Sequence, residues 1–295
     1  MSISIKKLQL FEATARLGKL TQAASEIALS QSAASQALKE LEESLGYPLF
    51  ERVGRDLLIT ENGQKALPKV RQIADILDSL KSDNLNNMSG LLRIVASGTI
   101  ATYLLPKVLA EFIKIYPQVK PEIHIGNTQM VIGFLDKGKA SIGLIEGPAS
   151  HQHLQITPWQ QDKLEVFCSP SHALARVKKI SCKQLSQQYW VLREQGSGTR
   201  AIFDAAIEQV GLQLNLALEI SRQSAIKESV KAGLGLGCLS KLTIADELKD
   251  GSLVALQSPL NLSRRFSLVT HKDSHHNLLT QTFIDFLTNK TSSNS

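Results

Sequence analysis

Short hydroxyl, amide and glycine residues occur together at several points of the chain, and in this combination they can hold an oxyanion. These residues follow apolar, strand-like segments, and two charged residues, Glu146 and Arg200, lie among them. The full set is Ser97, Gly98, Thr99, Asn127, Thr128, Gln129, Glu146, Ser197, Gly198, Thr199, Arg200 and Gln223. Ser or Thr beside Gly at a helix start offers hydroxyl donors, backbone N–H groups and the positive end of the helix dipole. Because open parallel sheets bind ligands where their strands end, we expect these residues to bind a small anionic effector between two helix N-termini.

Each of these loops also has a simpler interpretation. Ser and Thr before a helix commonly only cap it, a contribution of about 0.5 to 2 kcal/mol each. The occurrence of such loops in two halves of the chain favours the binding interpretation. Glu146 fits an anion site less well, because its carboxylate repels an anion unless it points away or pairs with a base such as Arg200.

A second set of polar residues has the spacing of a helix that recognises DNA. These residues lie on one face of a helix predicted from Gln31 to about Leu45, and they are Gln31, Ser32, Ser35, Gln36 and Lys39. Gln and Ser can donate and accept hydrogen bonds at base edges in the major groove. Arg52 and Arg55 follow in a turn, from which they can reach phosphates or a minor groove. The alternative is a polar face that only contacts solvent.

The elements that position this face are short helices. Apolar residues spaced by three and four predict a helix ending near Gly18, a second over 20–27, and a third capped by Ser30 and ended by Gly46. The inward face of the third helix is predicted to be Ala34, Leu38, Leu41 and Leu45. A turn flanked by short extended segments follows in LFERVGRDLLIT. Two short helices joined by a tight turn are typical of a helix-turn-helix.

The residues 20–63, LTQAASEIALSQSAASQALKELEESLGYPLFERVGRDLLITENG, resemble the winged helix-turn-helix of LysR-type transcriptional regulators. Members of that family commonly have Pro and Val where this chain has Ser32 and Ala34. Those departures concern helix start and packing and leave the polar face in place. The resemblance implies a homodimer that assembles to a homotetramer and binds double-stranded DNA.

A longer helix is predicted after residue 60. Ala66, Val70, Ile73, Leu77 and Leu80 form a heptad seam, which indicates pairing with a second chain or, alternatively, with another helix of the same chain. Pro68 is expected to bend this helix. LNNMSG, residues 85–90, is predicted to be a hinge. The resemblance agrees with a dimerising linker helix here.

The remainder alternates between strand-like and helical patterns, which predicts an α/β domain of two lobes with parallel strands. The expected division is a DNA-binding domain over 1–60, a linker over 61–90 and an effector-binding domain over 91–295. Lobe I comprises 91–162 and 266–295, and lobe II comprises 163–265. This two-lobed pattern resembles the effector domain of LysR-type regulators, which is similar to periplasmic solute-binding proteins.

Composition limits the alternatives. The chain has 295 residues, of which 43% are hydrophobic, and a net charge of +6. Residues 1–88 contain 11 basic and 11 acidic side chains, so bulk charge does not indicate DNA binding there. The start lacks an export signal and no segment is apolar enough for a membrane span, so a cytoplasmic protein is expected. Cys168, Cys182 and Cys238 are expected to be reduced.

Motifs of catalysis and of metal or cofactor binding are missing. GLGLG, residues 233–237, is not GxGxxG, and the sequence has no Walker A, HExxH or GxSxG motif. The histidine pairs His151 with His153 and His275 with His276 lie in polar stretches and are expected at the surface. We therefore expect no enzyme, no metal and no cofactor.

The sequence favours a DNA-binding regulator that recognises an inverted repeat and responds to an effector. GSGTR, residues 196–200, resembles the branch of the LysR family that includes regulators of carbon fixation and sulfur assimilation, which implies a small anion. A sulfur oxyanion is the first choice and a small organic acid the second, because the loops offer short donors and few apolar walls. The alternatives are a solute-binding protein for a small anion without a DNA-binding role, and an α/β enzyme with a DNA-binding head.

Overall fold

The computed structural model of the protein describes residues 3–53, 56–79, 88–272 and 277–292. Its N-terminal part, here called the head, consists of α1 (Ile5–Leu17), α2 (Leu20–Glu26), α3 (Gln31–Leu45), β1 (Phe50–Val53), β2 (Asp56–Ile59) and α4 (Glu61–Ser79). The predicted ends of α3 are confirmed. The Ser30 hydroxyl accepts a hydrogen bond from the Ala33 backbone N–H, and Gly46 ends the helix with a φ of 80°, a conformation that favours glycine.

An apolar core joins the helices of the head to its two-stranded wing, β1 and β2. The ring of Phe11 meets that of Phe50 edge to face, with 5.5 Å between the ring centroids. The predicted inward face of α3 is confirmed, with three residues buried and the fourth partly buried: Ala34, Leu38, Leu41 and Leu45. The opposite, polar face of α3 is therefore directed away from the core.

The apolar seam of α4 lies in two environments. Ala66 and Val70 are buried in the core of the head, so for these positions the partner is the same chain. Further along, Ile73 is 41% exposed and Ile76 is 47% exposed. Leu80 and the first half of the predicted hinge, residues 85–87, lie outside the described residues. In the described part of α4, the exposed apolar residues therefore begin at Ile73.

The rest of the chain forms one large sheet with helices on its faces. Its elements are β3 (Ser89–Ser97), α5 (Gly98–Tyr103), α6 (Leu105–Ile115), β4 (Gln118–Gly126), α7 (Thr128–Asp136), β5 (Ile142–Ile145), β6 (Leu154–Cys168), a 3-10 turn (Ala173–Arg176), α8 (Cys182–Ser186), β7 (Tyr189–Leu192), α9 (Gly198–Gln209), β8 (Asn215–Glu219), α10 (Gln223–Lys231), β9 (Leu236–Ser240), α11 (Ala245–Asp250), β10 (Val254–Leu256), β11 (Ser263–His271) and α12 (Leu278–Ser292). Met88 is buried in the core of the first lobe and Ser89 begins β3, so the second half of the predicted hinge belongs to the folded domain.

The strand order β4-β3-β5-β11-β6-β9-β7-β8 divides this sheet into two lobes. The predicted parallel pairing is confirmed for β3 with β4 and β5, and for β7 with β8 and β9. In the middle, β6 and β11 pair antiparallel along their length and enter both lobes. The expected lobe boundaries at 162/163 and 265/266 therefore fall inside two continuous strands. Each lobe retains an apolar core of its own.

Candidate functional site

The polar face of α3 is accessible, as a DNA-reading helix requires. Gln31, Ser32, Gln36 and Lys39 are exposed and Ser35 is partly buried. The face carries acidic neighbours as well, since the Gln36 amide donates to Glu40 at 2.9 Å and Lys39 lies 3.9 Å from Glu43. The structure brings all five predicted residues onto one surface.

The wing is fixed to α3 by a contact that sequence reasoning missed. A carboxylate oxygen of Glu42 accepts hydrogen bonds from the backbone N–H of Leu49 at 2.7 Å and of Phe50 at 3.1 Å. Arg52 follows on β1 and is exposed. Arg55 lies outside the described residues. Glu42 thus positions the start of the wing, and with it Arg52, relative to α3.

The N-termini of α5 and α9 come from different lobes and meet at the carboxylate of Glu146. The Thr99 backbone N–H donates to Glu146 at 3.1 Å and the Thr99 hydroxyl at 2.6 Å. From the other lobe, the Thr199 hydroxyl donates to Glu146 at 3.3 Å. Glu146 is 1% exposed and both threonines are as deeply buried. The Glu146 carboxylate therefore accepts the hydrogen bonds that the sequence analysis assigned to an effector.

Arg264 is the cation of this site. Its guanidinium lies 2.9 Å from the Glu146 carboxylate and donates to Asp162 at 2.6 Å. It also donates to the Thr199 hydroxyl at 2.9 Å. Arg264 is on β11 and Asp162 is on β6, so both come from the two strands that pass between the lobes. The pair is buried and therefore needs the surrounding hydrogen bonds to offset its desolvation.

The protonation of Glu146 follows from these contacts. Burial raises the pKa of Glu146, but the Arg264 guanidinium and the hydroxyl and N–H of Thr99 outweigh burial. The net pKa is below the ordinary value. Glu146 is therefore a carboxylate at neutral pH, able only to accept hydrogen bonds.

Three buried donors around the pair have no hydrogen-bond partner among the described residues. They are Ser97 Oγ, Thr128 Oγ1 and Arg264 Nη2. Ser97 precedes α5 and Ser197 precedes α9, yet neither side chain forms the capping hydrogen bond that its position suggests. Buried polar groups are usually satisfied, so these three donors, which lie on residues at the contact between the lobes, have the capacity to bind a ligand or water.

The lobes touch closely around this centre. A Cβ added at Gly147 would lie 2.3 Å from Gly198 Cα, so only glycine allows the two backbones to approach in this way. The Gln223 amide donates to the Thr99 hydroxyl at 2.8 Å, and the Gln129 backbone N–H donates to Gly196 at 3.1 Å. Several of the predicted effector residues thus lie where the two lobes touch.

Asn127 and Arg200 are held by neighbours outside the Glu146 centre. The Asn127 amide donates to Glu194 at 3.1 Å, and Glu194 in turn pairs with Arg193 at 2.8 Å. Arg200 pairs with Asp204 at 2.7 Å and with Glu219 at 3.0 Å. Arg200 is therefore not the base that meets Glu146. Arg264 takes that place, and no local sequence pattern distinguished it.

The three cysteines are free thiols, and two of them are buried. Burial raises the pKa of the Cys168 thiol to about 11, and burial likewise raises that of Cys238. Within the described ranges, no group of three or more His, Cys, Asp or Glu residues could hold a metal ion. His275 and His276 lie outside those ranges. Among the described helices, none has the length and apolar character needed to cross a membrane.

Two protein families match the chain. Residues 5–64 match the bacterial regulatory helix-turn-helix proteins of the lysR family, and residues 86–292 match the LysR substrate binding domain. The chain is 38% identical over 291 residues to the HTH-type transcriptional regulator YeiE of Escherichia coli K12, covering 97% of each protein. It is 31% identical to the RuBisCO operon transcriptional regulator of Allochromatium vinosum, covering 87% of this chain and 85% of that one. It is also 31% identical to CysL of Bacillus subtilis, covering 89% of each.

Solved structures match as well. The regulatory domain of Synechocystis CcmR in complex with 2-PG is 25% identical with a TM-score of 0.65, covering 69% of this chain and 98% of that one. A full-length OxyR variant of Pseudomonas aeruginosa has a TM-score of 0.78 at 19% identity, covering 98% of this chain and 94% of that one. The second match supports the fold of the whole chain, head and lobes together.

Proposed function

Because the chain belongs to the LysR family of DNA-binding transcriptional regulators, we propose that it controls transcription in response to a small anionic effector held between its two lobes. The observation that carries the effector proposal is the meeting of two helix N-termini around Glu146 and Arg264, with unpartnered donors at Ser97 and Thr128. Such donors favour the oxygen atoms of an anion.

DNA recognition is assigned to Gln31, Ser32, Ser35, Gln36 and Lys39 of α3, with Arg52 and Arg55 of the wing at the phosphates or in a minor groove. A homodimer would place two such helices about one turn of DNA apart, so the operator is expected to contain an inverted repeat. We infer that dimers assemble into a tetramer in the cytoplasm. The exposed Ile73 on α4 supports contact between chains there.

The effector is proposed to be small. Gly147 and Gly198 bring the lobes so close that a large molecule would have to separate them. A sulfur oxyanion is the first choice, and a small organic acid the second. One similar structure supports a small anion, because the CcmR regulatory domain was solved in complex with 2-PG.

We propose that effector binding reaches the DNA-binding heads through a mechanical change in the molecule. Effector binding changes the closure of the lobes about β6 and β11, and the linker helices carry that change to the spacing of the paired heads. Coupling of this kind is typically about 1 to 3 kcal/mol.

The experiment compares the full-length protein with Thr99→Val and Thr199→Val by thermal shift in a panel of sulfite, phosphate and 2-phosphoglycolate. We expect the wild type to melt higher with at least one of these anions and both variants to lose that increase while still binding DNA. Thr282→Val is the control, because the Thr282 hydroxyl only donates to the Leu278 carbonyl in α12. If the anion raises the melting temperature of Thr99→Val and Thr199→Val as much as that of the wild type, the contact between the lobes is rejected as the effector site.

A further inference from the structure

The central group of the proposed effector site is a carboxylate, which is an unusual neighbour for an anion. Glu146, Asp162 and Arg264 are buried together, with side-chain exposures of 2%, 4% and 0%. Two acids share one base, so the three groups carry a formal charge of −1. The positive charge of Arg193 also acts on Glu146, but Arg193 pairs with Glu194 at 2.8 Å, so this pair adds no net charge. An anion that enters therefore meets a surplus of negative charge.

A bound anion can avoid this repulsion if it carries a proton. A carboxylate oxygen can accept at least two hydrogen bonds. Among the described residues, Glu146 Oε1 accepts one, from the Thr99 N–H at 3.1 Å, whereas Oε2 accepts from Thr99, Thr199 and Arg264. One acceptor position of Oε1 is therefore available to an O–H of a ligand.

The donors beside Glu146 complete a pattern for such a ligand. Ser97 Oγ, Thr128 Oγ1 and Arg264 Nη2 are buried and unpartnered in the described structure, so they can donate to ionised oxygens. Glu146 supplies the single acceptor. Three donors and one acceptor match an oxyanion that has several ionised or double-bonded oxygens and one remaining O–H.

Resting on the function proposed above, we propose that Glu146 is a specificity-determining residue that selects oxyanions retaining an acidic proton and rejects fully deprotonated ones. Hydrogen phosphate, its monoesters while protonated and hydrogen sulfite belong to the accepted class. Sulfate belongs to the rejected class, because at neutral pH it has no proton to donate and its oxygens can only face the Glu146 oxygens as like charges. The selection depends on one hydrogen bond, from the ligand O–H to Glu146. Without that proton, two buried acceptor oxygens face each other with no hydrogen bond between them.

Phosphate and sulfate form the matched pair that tests this assignment. At mildly alkaline pH both are tetrahedral dianions of similar size, and only phosphate carries a proton. We expect phosphate to bind the full-length protein at least about tenfold more tightly than sulfate in calorimetric titrations, and to raise the melting temperature more at equal concentration. Sulfite loses its remaining proton across neutral pH, so its affinity should fall as the pH rises while that of phosphate holds.

Glu146→Gln reverses the chemistry at this one position, because an amide can donate to an ionised oxygen. The variant should lose the preference for phosphate and bind sulfate at least as tightly. Glu228→Gln is the control, since Glu228 is an exposed acid paired with Lys231 at 2.9 Å and its removal changes the total charge equally. The control should keep the wild-type ratio of phosphate affinity to sulfate affinity.

The outcomes separate the two proposals. Sulfate binding to the wild type as tightly as phosphate would overturn the selection by Glu146 while leaving an anionic effector in the cleft. No binding of phosphate, sulfite, sulfate or 2-phosphoglycolate would overturn both. Should Glu146→Gln fail to fold, the comparison of phosphate with sulfate on the wild type still decides the question.

Discussion

At the scale of single residues, Glu146 and Arg264 dominate the chemistry of the effector domain. A buried ion pair is stabilising only when its hydrogen bonds are complete, because removing two charges from water is expensive. Glu146 meets this condition through Thr99 and Thr199, whereas Arg264 retains one unpartnered nitrogen, Nη2, in the described structure. The pair is therefore a structural element with one buried donor left unpartnered in the described structure.

The depressed pKa of Glu146 predicts how stability depends on pH. A carboxyl with a lower pKa in the folded than in the unfolded state stabilises the fold above its unfolded pKa of about 4.3, and this contribution is lost as the pH falls through the folded value. At neutral pH, Glu146→Gln should be less stable than the wild type by about 1 to 3 kcal/mol in urea unfolding. This difference should shrink below about pH 4. A difference that stays constant down to pH 3 would contradict an ionised Glu146.

The raised thiol pKa values predict unreactive cysteines in the folded protein. Cys168 has a pKa of about 11 and Cys238 is buried, whereas Cys182 is partly exposed. Because the thiolate is the reactive form, an alkylating reagent at neutral pH should label Cys182 in the native state and all three thiols in urea. Mass spectrometry after timed quenching measures this. Equal labelling of Cys168 and Cys182 in the native protein would refute the prediction.

At the scale of elements, we expect α3 and the wing to contribute to DNA binding in different ways. Side chains of α3 face outward where base edges would lie, and Arg52 is on a strand that Glu42 holds against α3 through the wing backbone. Contacts to bases specify sequence, whereas contacts to phosphates position the protein without reading sequence.

Substitutions in α3 and in the wing should therefore have separable effects. Gln31→Ala and Ser35→Ala should reduce the preference for the operator over random DNA, by about 1 to 3 kcal/mol per lost base contact. Arg52→Ala should weaken binding to all sequences and reduce the salt slope by about one charge. Fluorescence anisotropy with both DNAs across a salt series measures these effects. If all three variants lose equal affinity for operator and random DNA, the assignment is contradicted.

At the scale of the whole molecule, a small polar junction connects the head to lobe I. The Arg71 guanidinium of α4 donates to Glu12 of α1 at 3.1 Å and to the Gly138 carbonyl of lobe I, and Arg93 of β3 lies 3.9 Å from Glu12. Beside the junction is a cavity of about 480 Å³ between α1, α4, β3 and the start of α12. A junction of few contacts beside a cavity suits a head that changes position when the lobes move.

Replacing Arg71 should weaken the communication between the two sites. Arg71→Met keeps the apolar stem and removes the contacts to Glu12 and Gly138. We expect the anion-dependent rise in melting temperature to persist, while the anion-dependent change in operator affinity shrinks from the roughly 5- to 150-fold typical of coupled sites. Lys65→Met is the control, because it removes an exposed ion pair with Glu61 on the same helix. An unaltered anion effect on DNA affinity in Arg71→Met would show that the signal takes another route.

The sequence by itself determined the local features of this protein. Ser30 and Gly46 mark the ends of α3 because capping and a left-handed turn are properties of neighbouring residues. The spacing of Ala34, Leu38 and Leu41 fixes the inward face, and with it the polar face, by the period of the helix. The loops at Ser97, Asn127 and Ser197 were likewise found from their own composition, since they follow apolar segments.

The tertiary structure alone decided which of these local features meet. Glu146 and Arg264 are far apart in the sequence, and nothing near either residue in the chain specifies the other as its partner. The same holds for Ala66 and Val70, whose heptad spacing suits a second chain and the head equally well until packing selects the head. Local patterns determine which face of an element is apolar, but the partner of a buried charge or of an apolar face depends on long-range contacts that short-range periodicity does not encode.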